Sequence, residues 1–270
     1  MNFYKEKDIQ NIKSYKFDFI ELDETDHVFT VTLNRPKKKN ALHPQMINEI
    51  AFAFQYAFYN NNIRAVLLKS NGDVFCSGMD LKALAGDIEK NNSTIPEPNS
   101  KILIGELFNK LYKPKICQLN GDVYAGGILL VAGCNYVIST KNIKLGLPEV
   151  KRGIFPMQVM ESLLKIISIR NVIDWCVRGY NLDVSIAKKW GLVSKVVKKE
   201  VLENETQKWL MEVTSNSPTA IRLGLEALDK INSSELNHLY LSEMLEKVLN
   251  SADAKEGINA FKNKRTPNWK

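Results

Sequence analysis

Asn120-Gly121-Asp122-Val123-Tyr124-Ala125-Gly126-Gly127 joins two apolar runs, residues 115–119 before it and 126–133 after it. The first run is short and reads as a strand, the second as an apolar helix, and residues 136–139 as a strand again. Strand, helix, strand places this region in an α/β layered fold. The first amides of a helix have no partner within it and carry the positive end of its dipole. Paired glycines let a ligand oxygen approach such amides, although close helix packing explains them equally well. The pattern is not GxGxxG, so no dinucleotide fingerprint is present.

Toward the N-terminus, Phe29, Val31 and Leu33 alternate with Thr30 and Thr32, and with Phe17, Phe19 and Leu22 they predict a β-hairpin turning at Glu24-Thr25-Asp26. Pro44 stands at a helix start followed by Ile47, Ile50, Phe54 and Phe58 at three- and four-residue steps. Residues 65–68 predict a buried strand closed by Asn71-Gly72, and the polar residues 85–100 a mobile surface loop. Beyond residue 199 the expectation is helix only, over 206–213, 220–231, 235–249 and 254–264. Asp183 reads as an N-cap and Gly191 as a C-terminal stop.

Two further segments carry chemistry. Val74-Phe75-Cys76-Ser77-Gly78-Met79-Asp80-Leu81 reads as a strand, a tight turn at Gly78 and a helix cap at Asp80, which would leave the Met79 amide free to face a pocket. Ser77 lacks the flanking GxSxG elbow of a hydrolase nucleophile. Leu145-Gly146-Leu147-Pro148-Glu149-Val150 ends a strand at a proline and places Glu149 between Leu147 and Val150, apolar surroundings that raise a carboxyl pKa.

With 270 residues, 44% of them hydrophobic, the chain can bury a large core, while its apolar runs fall far short of the roughly 20 residues a bilayer span needs. Cys76, Cys117, Cys134 and Cys176 show no CxxC spacing and read as reduced core thiols, and His27, His43 and His238 form no HExxH pair, so no metal site is expected. Residues 1–16 are charged without the apolar stretch of a secretory signal, and a cytoplasmic protein is the expectation. The net charge of +7 fits either a lysine-rich surface or a polyanionic ligand. Its clusters, Arg35 with Lys37, Lys38 and Lys39, and Lys262 with Lys264 and Arg265, lack interleaved aromatics; they suit a phosphorylated cofactor better than nucleic acid.

In order and spacing these segments resemble the crotonase superfamily of enoyl-CoA hydratases and isomerases. The resemblance spans residues 17–265 and includes Leu33-Asn34-Arg35-Pro36, Asn40-Ala41-Leu42, Gly191-Leu192-Val193 after Ala187, and Phe261 with Lys264-Arg265. It implies an α/β spiral of ββα units over residues 17–199, after an N-terminal extension at 1–16, with a helical C-terminal region at 200–270 that builds trimers or hexamers. Met79 and Gly126 would offer two backbone N–H groups to a thioester oxygen, with Glu149 as acid/base. The CoA-binding positions would include Lys37, Lys38, Lys39, Cys76, Ser77, Asp80, Leu81, Gly127 and Leu129, with Phe261 and Lys264 reaching CoA from a neighbouring subunit. No permanently bound cofactor is implied; coenzyme A, or an acyl-carrier protein, enters with the substrate. The second glutamate of the hydratases falls on Leu129, a departure that favours Δ3-Δ2 isomerisation over hydration or dehydration. A non-catalytic CoA- or RNA-binding relative is the further alternative.

Overall fold

Between residues 65 and 146 consecutive strands of this chain alternate between two sheets, which is how a spiral of ββα units is built. The computed structural model describes residues 1–232, 242, 245–246, 249–250, 252–265 and 267. Among the described residues, the larger sheet contains β1 (Ile20–Thr25), β2 (Val28–Leu33), β3 (Ala65–Ser70), β5 (Lys115–Leu119), β7 (Tyr136–Thr140) and β10 (Lys195–Val197), in that spatial order. The smaller contains β4 (Val74–Cys76), β6 (Asp122–Tyr124), β8 (Lys144–Gly146) and β9 (Asn181–Asp183). Among the described residues only β1–β2 and β8–β9 pair antiparallel.

The hairpin forms, but its turn is Asp26-His27 and Thr25 remains in β1 opposite Val28. Both turn residues have positive φ, 50° and 66°, as a two-residue loop matching the strand twist requires. Strand β3 is apolar at successive positions because both of its faces are covered. Val66 and Leu68 join the main core, while Ala65 and Leu67 join Ile116, Ile138 and Leu210 on the other face. Each leucine so buried contributes about 1.5–3 kcal/mol.

Helix α1 (Glu6–Gln10) lies in the N-terminal segment, and α2 (Pro44–Tyr59) starts at the expected proline. More of α2 is buried than its apolar stripe requires. Gln55 accepts from the amides of Phe3 and Tyr4 at 2.7 and 3.0 Å, and Glu49 accepts from those of Asp18 and Phe19 at 2.8 and 2.9 Å. Residues 1–16 thus pack on the core through Phe3, Tyr4, Ile9 and Ile12. The segment after α3 (Leu81–Leu84) and before α4 (Ile104–Asn109) is irregular, as expected for 85–100, but it is tied down. Asn92, Thr94 and Asn99 donate backbone hydrogen bonds to Asp18, Lys16 and Phe3.

Helix α5 (Gly127–Ala132) matches the apolar run, and β4 and β8 match the two short strands expected there, whereas their assembly with β6 and β9 into a second sheet went unread. Its strands are three residues long, too short to show alternation. Helices α6 (Met157–Leu164) and α7 (Ile169–Arg178) were also missed, although Ser168 caps α7 and Gly179 ends it at φ 60°. Gly191 stops α8 (Val184–Trp190) at φ 90° as expected. Asp183 occupies the N-cap position of α8, but its carboxylate bonds Lys144 rather than capping the helix.

Helix α9 (Leu202–Thr214) covers the larger sheet, with Trp209 stacked on Tyr136 at 5.2 Å, so part of the C-terminal apolar stripe serves its own chain. Helix α10 (Pro218–Asn232) and a C-terminal helix, Ala252–Lys262, follow. Most of the expected 235–249 helix, including His238, Leu239 and Leu241, lies outside the described residues. Among the described residues no helix is long and apolar enough to cross a membrane.

Candidate active site

Strands β4, β6 and β8 are parallel neighbours, so the chain leaves all three at the same edge. That places Ser77–Asp80, Ala125–Gly127 and Pro148–Arg152 side by side. The fit between the first two depends on missing side chains. A β-carbon at Gly78 would lie 2.6 Å from Ala125 Cβ, and one at Gly127 would lie 2.9 Å from the Cys76 carbonyl oxygen and sulfur. Ala125 is itself left-handed at φ 51°, strain of about 1–2 kcal/mol, and its N–H is held by the Gly146 carbonyl at 2.8 Å.

Leu42 bridges Met79 in parallel fashion: its N–H bonds the Gly78 carbonyl at 2.8 Å and its carbonyl accepts from the Asp80 N–H at 3.1 Å. In a parallel bridge the bracketed residue's own amide points the other way. Among the described residues neither the Met79 N–H nor the Gly126 N–H has an acceptor. The two lie together, since a β-carbon at Gly126 would be 3.7 Å from the Met79 nitrogen.

Glu149 stands in the short 3₁₀ helix Pro148–Arg152. Burial pushes its carboxyl from 4.5 up to about 7, with its own backbone amide and the Arg152 charge opposing the rise. Its Oε2 is buried without a hydrogen-bond partner. A desolvated carboxyl with one unused oxygen and a midpoint near neutrality is suited to taking and returning a proton.

The family model described as enoyl-CoA hydratase/isomerase matches residues 23–270. The chain belongs to that family. It is 28% identical over 251 residues to a mevalonyl-coenzyme A hydratase of Aspergillus fumigatus, covering 91% of this chain and 92% of that protein. It is 30% identical to a probable mitochondrial enoyl-CoA hydratase of Dictyostelium discoideum, covering 92% and 89%. Among solved structures, a carnitinyl-CoA hydratase from Mycobacterium avium shares the fold at TM-score 0.83 and 24% identity, covering 94% of this chain and 99% of that one. An enoyl-CoA hydratase/isomerase from Pseudoalteromonas atlantica matches at TM-score 0.83 and 25% identity, covering 93% and 100%. This is therefore an enzyme of the enoyl-CoA hydratase/isomerase family with the ββα spiral of the crotonase fold.

Within this hydratase/isomerase family member the remaining candidate positions divide. Lys37, Lys38 and Lys39 are exposed, and the Lys39 carbonyl accepts from the Ser77 N–H at 3.0 Å, so the lysine loop borders the Met79 turn. Ser77 and Leu81 are half-buried beside that turn. Asp80 caps α3 and also holds Arg35. Arg35, grouped by sequence with the free lysines, is instead buried between Asp80 and Glu89. Cys76 is fully buried beneath Gly127, so its side chain faces the core. Leu129 is buried in α5 and brings no second carboxyl. Phe261 stacks on Arg152 of the same chain, 4.6 Å from guanidinium to ring centroid, which brings the C-terminal helix against the Glu149 segment; Lys264 is exposed close by in sequence. Arg152 was missed, because nothing local in the sequence distinguishes it from a surface arginine.

Proposed function

We propose that this enzyme binds the acyl thioester of coenzyme A, or of an acyl-carrier protein, and moves its double bond from C3–C4 to C2–C3. The ionised Glu149 carboxylate takes a proton from C2. The freed electron pair delocalises into the thioester, and charge develops on its oxygen between the Met79 and Gly126 amides. Protonated Glu149 then returns the proton at C4, the electrons settle between C2 and C3, and the carboxylate is regenerated. Each fixed donor is worth about 2.7–4 kcal/mol in sites of this kind, and the proton shuttle about 10²–10⁴-fold.

The observation that carries this reading is Glu149 itself, a half-buried residue whose carboxyl has a pKa of about 7 and one enclosed oxygen without a partner. One such group serves both proton transfers. Hydration is the second reading, supported by relatives whose printed names are hydratases. It requires that water be deprotonated and oriented as well. Leu129 offers no acid for that task, and Asp122 has both oxygens engaged, by the Lys144 amide at 2.8 Å and the Tyr124 hydroxyl at 2.8 Å.

Purified protein given matched 3-enoyl and 2-enoyl thioesters is expected to convert the 3-enoyl form to the 2-enoyl form without 3-hydroxyacyl product. Rapid hydration of crotonyl-CoA in the same assay would replace isomerisation with the hydratase reading. Assembly as a trimer or hexamer, held largely by helices after Glu200, belongs to the same proposal. Met211 and Leu228 are 64% and 54% exposed on α9 and α10, apolar surface available to another subunit. Sedimentation is expected to give three or six times the 30.7 kDa chain mass, and a monomer alone at micromolar concentration would refute the assembly.

A further inference from the structure

Arg35 is 7% exposed, unusual for a guanidinium unless its charge is answered. Its Nη1 donates to Asp80 Oδ2 at 2.8 Å and to the Ala41 carbonyl at 3.1 Å, its Nη2 bonds Glu89, and its cation lies 5.3 Å from the centroid of the Phe19 ring. These contacts straddle one short feature. Ala41 precedes Leu42 and Asp80 follows Met79, and Leu42–Met79 is the bridge that turns the Met79 amide outward. Asp80 uses its other oxygen to accept from the Lys82 and Ala83 amides at 3.1 and 3.4 Å, so the carboxylate is held from both sides. Glu89 belongs to the irregular 85–103 segment, which is tied near its middle to the N-terminal segment through Thr94 and Lys16.

We propose that Arg35 is a positioning residue for the Met79 N–H donor. Through Ala41 and Asp80 it fixes the bridge that aims this amide, and through Glu89 it fastens the 85–103 segment to the same point. The inference rests on the reading of Met79 as a donor to the thioester oxygen. A planar fork reaches several acceptors at once with directional hydrogen bonds, whereas a lysine ammonium is a single point of charge. Retaining charge without the fork is therefore expected to loosen the bridge.

The test uses the full chain and butyryl-CoA labelled with ¹³C at the thioester carbonyl, a saturated probe with no double bond to move. In the wild type the bound carbonyl resonance is expected to move downfield as the two amides polarise it. Arg35→Lys is expected to lose much of that shift and to lower kcat about 10- to 100-fold, the scale of a sub-ångström to 1 Å misplacement, while affinity for free CoA is unchanged. Asp80→Asn, which retains an oxygen for the helix cap but not the ionic acceptor, is expected to move the same readouts in the same direction, and decides the matter if Arg35→Lys does not fold. A wild-type shift kept in full by both variants, with only melting temperature lowered, would overturn the role of Arg35 and leave the amide reading intact. No shift in the wild type would overturn the amide reading and this inference with it.

Discussion

Glu149→Gln is expected to lower kcat by at least ~10²-fold, the low end for removing a general base, while making the folded protein more stable above neutral pH. Both effects come from the same burial. The Glu149 carboxyl has a folded pKa of about 7 against an ordinary 4.5, so between those values the folded state holds a proton that the unfolded state has released. Stability therefore falls as pH rises through that window, and the penalty is complete above about pH 7. Glutamine does not titrate and is nearly isosteric. The gain in the variant should be absent near pH 4.5 and reach at most about 3 kcal/mol at pH 8, from 1.36 kcal/mol per unit. Urea unfolding of both proteins at pH 5 and pH 8 measures this directly. Equal destabilisation at the two pH values would mean that the carboxylate is paired and that its proposed role as a poised base is wrong. In the wild type, kcat/KM should rise as pH increases through about 7, when Glu149 loses its proton.

Gly78→Ala is expected to damage stability and turnover together. Its φ of 91° costs about 1–3 kcal/mol for a residue with a side chain. The new methyl would stand 2.6 Å from Ala125 Cβ and 3.0 Å from the Tyr124 carbonyl oxygen, forcing apart the segments that carry the Met79 and Gly126 amides. Overpacking adds about 1–3 kcal/mol, and a displacement near 1 Å lowers turnover about 10²-fold. Gly86→Ala separates the two causes. Its φ is 88° with no neighbour within 4 Å, so it should carry the backbone strain without the loss of activity. Unchanged kcat in Gly78→Ala would show that the separation of these amides does not control the reaction.

Much of the architecture was legible because the signals are local. Alternation in Phe29, Val31 and Leu33, the proline opening α2, the apolar run of α5 and the glycine ending α8 all express interactions within a few residues of chain. The chemistry-bearing segments around Met79, Gly126 and Glu149 were also visible, since a glycine turn, a glycine-rich helix start and a carboxyl among apolar neighbours are local patterns. Local patterns along the chain therefore specified the identity of these parts and the order in which they occur.

Their adjacency was decided by tertiary structure. Strands β4, β6 and β8 are three residues each, too short to announce a second sheet, yet their parallel pairing is what brings three distant segments to one edge. Burial then assigned properties that residue type leaves open. Arg35 and Lys37 look alike in sequence, but only Arg35 is enclosed by two carboxylates and an aromatic ring. Cys76 turned inward because Gly127 packs against it, and Glu149 acquired a midpoint near 7 because the folded chain removes water from around it. Local propensity acts over a few residues, whereas desolvation and contact depend on every segment that closes over a site, and those segments come from far apart in the chain.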